Sequence, residues 1–158
     1  MKIEFVKADM REFCRPGAFD LAINLFTSFG YFENPAEDRR VIVNVHKSLK
    51  KGGKLVMDMA GKEVVARIFR PRDWHEENGV IWLEERSISQ DWSWIDNRWI
   101  LLRGVKRDEF RVSHRLYSGA ELVALLRDCG FHDVHAYGNL DGAPYDHTAE
   151  RLVVVARK

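Results

Sequence analysis

The sequence is poor in several features that define whole classes of protein. Its 158 residues contain two cysteines, Cys14 and Cys129, which lie far apart and in no metal-type spacing. A disulfide framework and a zinc site are therefore not expected. No apolar run reaches the roughly 18 residues that suggest a membrane span, and the first residues have no apolar signal-peptide core. We predict a cytoplasmic protein with reduced thiols and no membrane partner.

The sequence also has almost no excess of positive over negative charge. Lys and Arg number 25 against 24 Asp and Glu, which gives a net charge of +1. The arginines are spread along the chain, and there is no basic stripe, NPPY-type motif or zinc motif, so we predict no nucleic-acid partner. The pairs Glu76-Glu77 and Glu84-Glu85 place neighbouring carboxylates on opposite faces of a strand. We therefore predict no metal site.

The first half of the chain has the pattern of an α/β protein. A hydrophobic fraction of 46% is sufficient for the core of one domain at this length. Residues 3–8 (IEFVKA) have a strand composition, and residues 19–26 form an apolar run typical of a buried parallel strand. Asn34-Pro35 opens a helix that we expect to end at Gly52-Gly53. Residues 54–59 are then predicted to be the next buried strand.

The composition changes at about residue 72. Residues 74–117 alternate apolar and polar positions, and we predict about three antiparallel strands over about 80–87, 94–103 and 109–116. Asp96-Asn97 and Gly104 are predicted turn or bulge positions. The tryptophans of this segment favour packing on a sheet face or at an interface over an aromatic pocket. We interpret 72–117 as an insert within a single domain covering 1–158.

The last forty residues return to the α/β pattern. Ser118 is a predicted helix cap, and Glu121, three residues later, completes a capping box. Residues 134–137 and 152–156 are predicted strands, with a loop over 138–150 between them.

Four motifs occur in an order that is more specific than any one of them. VKADMREF (6–13), NLFTSFGYF (24–32), LKKGGKLVMDM (49–59) and YSGAELVALLRDCGF (117–131) together resemble a class I S-adenosylmethionine (SAM) dependent methyltransferase of the small-molecule type. The resemblance covers nearly the whole chain. It implies a partial Rossmann-like sheet with helices on both faces, an antiparallel β insert, SAM as the cofactor and methyl transfer to an unknown small-molecule acceptor.

The resemblance also implies which residues form the site. In the family, the first motif contacts the adenine and the second lines the methyl-transfer centre, where aromatic rings suit a cationic sulfonium. The implied cofactor contacts are Asp9, Met10, Asn24, Leu25, Phe26 and Thr27. The implied substrate contacts are Phe29, Tyr31, His75, Arg115, Tyr117 and Tyr145. His114 and His147 have suitable acid–base chemistry but rank below these residues, and no side chain is assigned as the catalytic base.

Two of these residues have a second interpretation. Asp9 is either an adenine ligand or the cap of a short turn at residues 10–13. Asn24 interrupts an apolar strand, and a buried amide must be hydrogen-bonded. It either faces the cofactor or satisfies a neighbouring loop.

The sequence departs from the family before residue 3. A family member has two further strands there with a GxGxG-type cofactor loop, and none of the early glycines forms one. Without those strands the strand at 19–26 has an open apolar edge, and such an edge seeks another strand. We therefore expect an N-terminally truncated chain that forms a homodimer or a segment-swapped oligomer through this edge. The rival hypothesis is a non-catalytic remnant of the fold that serves as a dimerisation or interaction module.

Overall fold

The computed structural model describes residues 3–158, which form three helices and two four-stranded sheets. No helix in this range is long and apolar enough to cross a membrane. The elements in chain order are β1 (Phe19–Asn24), α1 (Pro35–Ser48), β2 (Leu49–Met59), α2 (Lys62–Ile68), β3 (Arg72–Glu77), β4 (Val80–Ile88), β5 (Trp94–Arg103), β6 (Lys106–Arg115), α3 (Gly119–Asp128), β7 (His132–Tyr137) and β8 (Leu152–Arg157).

The first sheet has the order β1-β2-β8-β7. β1 and β2 run parallel and are joined through α1, whereas β8 is antiparallel to both β2 and β7. This mixed sheet with its crossover helix confirms the predicted α/β class. Because the two parallel strands share a direction, their carboxyl ends meet at the same edge of the sheet, where open α/β sheets bind ligands.

The main core lies on one face of this sheet. Helices α1 and α3 bury their apolar stripes in a single cluster with alternate residues of β2 and β8, among them Leu55, Met57 and Val154. On the other face, at the β1 edge, Leu21 is 54% and Ile23 62% exposed. The β1 edge and this face therefore present apolar surface to solvent.

The second sheet has the order β3-β4-β5-β6 and is antiparallel throughout. It contains one strand more than the sequence predicts, because β3 (RDWHEE) has Trp74 as its one apolar residue, which is too few to define a strand from the sequence. The predicted turn at Gly104 is confirmed, with φ of +57°. The predicted turn at Asp96-Asn97 is wrong, since both residues pair within β5. The division into one domain with an insert stays a prediction.

Within the described residues, three features of the first half differ from the sequence prediction: one strand is absent, and one strand and one helix end earlier. Residues 3–8 form no strand, and Phe5 is 93% exposed, because no described strand lies beside them to pair with. β1 ends at Asn24 rather than at residue 26. Helix α1 ends at Ser48, since Leu49 already pairs with Phe19 in the sheet. The two glycines thus lie inside β2, where the register shifts.

The amino end of α3 has the predicted capping box. The Glu121 amide donates to Ser118 Oγ at 3.1 Å, and the Ser118 amide donates to Glu121 Oε2 at 2.7 Å. Two amides that the helix itself cannot satisfy are therefore paired.

Replacing the capping serine should destabilise the protein measurably. We expect Ser118→Ala to lower the free energy of unfolding by about 1 kcal/mol, and Ser118→Gly by only a few tenths of that. Urea denaturation followed by circular dichroism measures both. Equal losses for the two variants would show that the cap does not hold this helix end.

Candidate functional site

The loop between β1 and α1 begins with two residues in an unusual conformation. Phe26 and Thr27 have φ angles of +56° and +57°. The left-handed region costs a residue with a Cβ roughly 1–2 kcal/mol, so surrounding contacts must maintain it. The Phe26 amide donates to Asp58 Oδ2 at 3.2 Å, and the Thr27 amide to the Asp58 carbonyl at 2.9 Å. Such strain at a strand end is typical of a functional site.

Asp58 fastens the start of this loop to the first sheet. Its side chain is nearly buried and accepts a hydrogen bond from Arg151 Nε at 2.7 Å. Thr27 Oγ1 accepts from the Ala60 amide at 2.9 Å and from Arg151 Nη2 at 3.3 Å. Sequence analysis missed Asp58 and Arg151, although an aspartate inside the apolar strand LVMDM is a signal that could have been used.

Of the two interpretations of Asn24, the structure shows the contact with the neighbouring loop, and the contact with a cofactor stays a prediction. Its Nδ2 donates to the Ser28 carbonyl at 3.1 Å, so the amide group does hold the neighbouring loop. Its Oδ1 is buried and has no hydrogen-bond partner within residues 3–158. A buried acceptor without a donor is costly, so this oxygen marks a point where a ligand donor would be favourable.

The far end of the loop is fixed by a buried network. Tyr117 donates to Asp38 Oδ2 at 2.8 Å, and Arg115 Nη2 donates to the Glu33 carbonyl at 2.7 Å. Arg115 Nε also lies 3.4 Å from Asp38 Oδ2. Phe29, only 1% exposed, stacks on Tyr117 with ring centroids 5.6 Å apart. Phe29, Arg115 and Tyr117 therefore fix the conformation of the loop through contacts on its buried side.

Burial sets the protonation of this network. Desolvation raises the pKa of Asp38, although the hydrogen bond from Tyr117 and the charge of Arg115 oppose the shift. Burial, with the hydrogen bond to Asp38, also raises the pKa of Tyr117. The phenol is thus a neutral donor near pH 7.

A cavity of about 690 Å³ lies between α2 and the second sheet. It adjoins the loop at two points. Ala60, whose amide donates to Thr27, lines it, and so does His114, whose ring centroid is 5.9 Å from that of Tyr31. Burial lowers the pKa of His114 from its ordinary value of 6.5, so the imidazole is neutral near pH 7. Its Nδ1 is buried without a partner among the described residues.

A second depression, of about 750 Å³, is lined by charged side chains of the second sheet, such as Arg98 and Arg111. No residue of the loop contributes to it, so we do not assign the acceptor there. Within residues 3–158, no three His, Cys, Asp or Glu side chains are grouped to hold a metal ion.

His75 and Tyr145 line neither cavity. His75 is exposed on β3 and stacks on Trp82 at 5.8 Å. Tyr145 donates to Glu63 Oε2 at 2.7 Å. A Cβ added at Gly61 or Gly119 would lie 2.5 Å or 2.7 Å from atoms of Tyr145, so this ring is wedged between α2 and α3.

Asp9 is engaged by its neighbour Arg11. The guanidinium reaches both carboxylate oxygens, at 2.7 Å for the closest pair, and these hydrogen bonds lower the pKa of Asp9 to about 2. Its carbonyl accepts from the amides of Glu12 and Phe13, as in the predicted turn. Arg11 also bonds Glu37 at 2.6 Å. Met10 packs against the core beside this turn.

The raised pKa of Asp38 makes a pH-dependent contribution to stability. A carboxyl whose pKa is higher in the folded state stabilises fully below its unfolded pKa, near 3.8, and loses that contribution as the pH rises through the folded value. We therefore expect the free energy of unfolding of the wild type, minus that of Asp38→Asn, to fall as the pH rises from about 3 to 7.

Urea titrations at each pH measure this difference. Asp20→Asn, the same change at an exposed strand residue, controls for the general effect of pH on the chain. A difference for Asp38→Asn that stays level or rises with pH would contradict the assignment.

Comparison with known proteins supports the fold. No protein-family model matches the chain, and no curated protein is similar to it in sequence. An S-adenosylmethionine-dependent methyltransferase from Clostridium acetobutylicum aligns over 99% of this chain and 65% of its own, with a TM-score of 0.86 and 14% identity. The CcbJ methyltransferase from Streptomyces caelestis aligns over 96% and 62%, with a TM-score of 0.84 and 16% identity.

A third solved structure, a SAM-bound amino pentose methyltransferase from Micromonospora echinaspora, has a TM-score of 0.65 and 22% identity over 95% of this chain and 62% of its own. The chain thus spans less than two thirds of the length of these structural neighbours. Their similarity lies in the fold, and residues 3–158 accordingly have the fold of the corresponding part of a class I SAM-dependent methyltransferase.

Proposed function

We propose that this chain contributes the acceptor side of a SAM-dependent methyltransferase that acts on a small molecule. The observation that carries the proposal is the position of the loop at residues 24–32. It lies at the carboxyl ends of the parallel strands β1 and β2 and adjoins the 690 Å³ cavity. Ligands of open α/β sheets bind at this edge, and the cavity is of the size that small-molecule sites have.

Several groups at this edge fit SAM, which supplies an electrophilic methyl group on a cationic sulfur when bound. The unpaired Asn24 Oδ1 fits an ammonium or hydroxyl donor. The Phe26 ring is 83% exposed and can face a cation. Asp9 Oδ2 accepts from Arg11 Nη2 at 2.7 Å and, because a carboxylate oxygen has two lone pairs, it can also accept a hydrogen bond from an adenine amine. The residues that we propose to contact the cofactor are Asp9, Met10, Asn24, Leu25, Phe26 and Thr27.

The remaining residues divide into those that touch the acceptor and those that position the loop. His114 lines the cavity, where its neutral imidazole can hold a hydrogen bond to the acceptor, and Tyr31 lies beside His114. Arg115 and Tyr117 hold the loop through Asp38. Of the residues implied by the family resemblance, we assign Phe29 and Tyr145 to packing and His75 to the exposed surface of β3.

The activity of the whole protein is part of this proposal, because the chain spans only about three fifths of the neighbours' length. The amino pentose acted on by one neighbour supports a small-molecule acceptor. The free thiols of Cys14 and Cys129 support a reducing, cytoplasmic location.

Binding of S-adenosylhomocysteine, the demethylated product of SAM, tests the proposal by calorimetry. We expect a dissociation constant in the micromolar range and about tenfold weaker binding for Asn24→Leu, the cost of one lost buried hydrogen bond. Val105→Ala, a change at a fully exposed turn residue, should leave the affinity unchanged. No heat at millimolar ligand would overturn the proposal and favour the non-catalytic remnant.

We also propose that two copies associate through the β1 edge. The strand is 6 residues long, pairs on one side only among residues 3–158, and exposes its residues Leu21 and Ile23. An unpaired apolar edge is a template for another strand.

Light scattering coupled to size-exclusion chromatography measures the mass. We expect twice the chain mass of 18.4 kDa, and a return to 18.4 kDa for Ile23→Lys. Val105→Lys adds the same charge at an exposed turn and should remain dimeric. A wild type of 18.4 kDa at all concentrations would rule out the dimer.

A further inference from the structure

The cavity beside the loop has apolar walls. Helix α2 and the segment after it contribute Val65, Ile68 and Phe69, and the second sheet contributes Ile95. Phe69 is itself held edge-on against Trp92, with ring centroids 5.9 Å apart. A compact apolar or aromatic body therefore suits the interior of the cavity.

Arginine dominates the charged lining of this cavity. Arg67, Arg70 and Arg86 line it, against a single aspartate, Asp73. Two of these charges are compensated, because Arg70 lies 3.6 Å from Asp73 and Arg86 pairs with Glu84. Of the three arginines, Arg67 is therefore the one without a close carboxylate partner among the described residues.

The guanidinium of Arg67 makes no close ion pair with a carboxylate in the described part of the chain. Its charge acts at longer range on Asp146, whose pKa is lowered mainly by a side-chain hydrogen bond and further by this charge. The guanidinium donates to the backbone carbonyls of His147 and Ala149. These bonds use some of its five donors and fix its position. A fixed cation at an apolar cavity attracts a carboxylate or a phosphate more strongly than a neutral group, since charge-assisted hydrogen bonds are the stronger kind.

We propose that the methyl acceptor bound in this cavity is an apolar or aromatic small molecule with an anionic group, and that Arg67 binds this group. The inference rests on the proposed function and names the substrate class of the same site. Asn97 and His114, which line the cavity from the second sheet, provide polar contacts for the rest of the acceptor. The bonds to the 147–149 backbone hold the Arg67 guanidinium at the lining of the cavity.

Titration with matched aromatic probes, followed by ¹H–¹⁵N NMR, tests the anion preference. Benzoate and phenyl phosphate carry the anion, and benzamide and benzyl alcohol have the same ring without it. We expect at least one anion to bind about tenfold more tightly than benzamide, the gain from a charge-assisted over a neutral hydrogen bond. The tighter of the two anions identifies carboxylate or phosphate. The shifted amides should include those of Phe69, Ile95 and His114.

Variants of Arg67 separate the charge from the packing. Arg67→Gln should abolish the preference for the anion and leave the affinity for benzamide unchanged. Unchanged benzamide binding shows that the cavity of the variant is intact. Arg67→Lys should retain a reduced preference. Arg103→Gln removes the same charge from an exposed strand end outside the cavity lining and should have no effect. Equal affinity for benzoate and benzamide, no binding of either, or shifts confined to other parts of the chain would overturn the inference.

A titration of the same sample with S-adenosylhomocysteine tests the proposed function separately from the anion preference. Binding of that ligand without an anion preference overturns only the substrate class. An anion preference that depends on Arg67, without cofactor binding, supports the cavity assignment and contradicts the methyltransferase function.

Discussion

The hydrogen bonds between Asp58 and the loop after β1 are the constraint on which the candidate site depends. They hold two consecutive non-glycine residues, Phe26 and Thr27, in a left-handed conformation that the chain would otherwise avoid. The sharp turn that results exposes the Phe26 ring and directs the Thr27 hydroxyl to the Ala60 amide, at the cavity. Arg151 forms an ion pair with the buried Asp58 carboxylate. This ion pair offsets the cost of burying the charge, and the same carboxylate stabilises the strained loop.

The other end of the loop depends on a second buried acid. Asp38 receives the Tyr117 hydroxyl and Arg115, and Arg115 also holds the Glu33 carbonyl. The loop is thus fixed to β2 at its start and to β6 and the start of α3 at its end, and the cavity lies between these supports. Both carboxylates lie deep in the protein, where an unpaired charge is expensive. A site held at both ends by such groups is preorganised, which lowers the entropic cost of positioning a ligand.

Much of the fold could be predicted from local patterns. The apolar run at β1, the crossover helix and the capping box of Ser118 and Glu121 each depend on residues close in sequence. The end of α1 could not be predicted, because pairing of Leu49 with Phe19, 30 positions earlier, decides it. The segment at 3–8 has a strand composition but no described neighbour, so propensity alone did not make a strand.

The site was predicted less well than the fold. The motif at 24–32 coincides with the loop after β1, and the part of this loop in a binding site stays a prediction. The partners that shape it come from distant positions: Asp58 meets Arg151 across 93 residues, and Asp38 meets Tyr117 across 79. His114 ranked below Arg115 and Tyr117 because a single histidine is more often a surface or packing residue than a ligand, and only the folded structure shows that it is buried at the cavity.

We propose that one edge of the first sheet holds the cofactor side and the acceptor side of a single site. A crystal structure of the chain with S-adenosylhomocysteine and benzoate would show both ligands at once. We expect the nucleoside ligand against Asn24 and Phe26, and the benzoate in the cavity of Arg67 and His114, on opposite sides of Thr27. Either ligand bound elsewhere, or the two separated by the body of the sheet, would contradict this proposal.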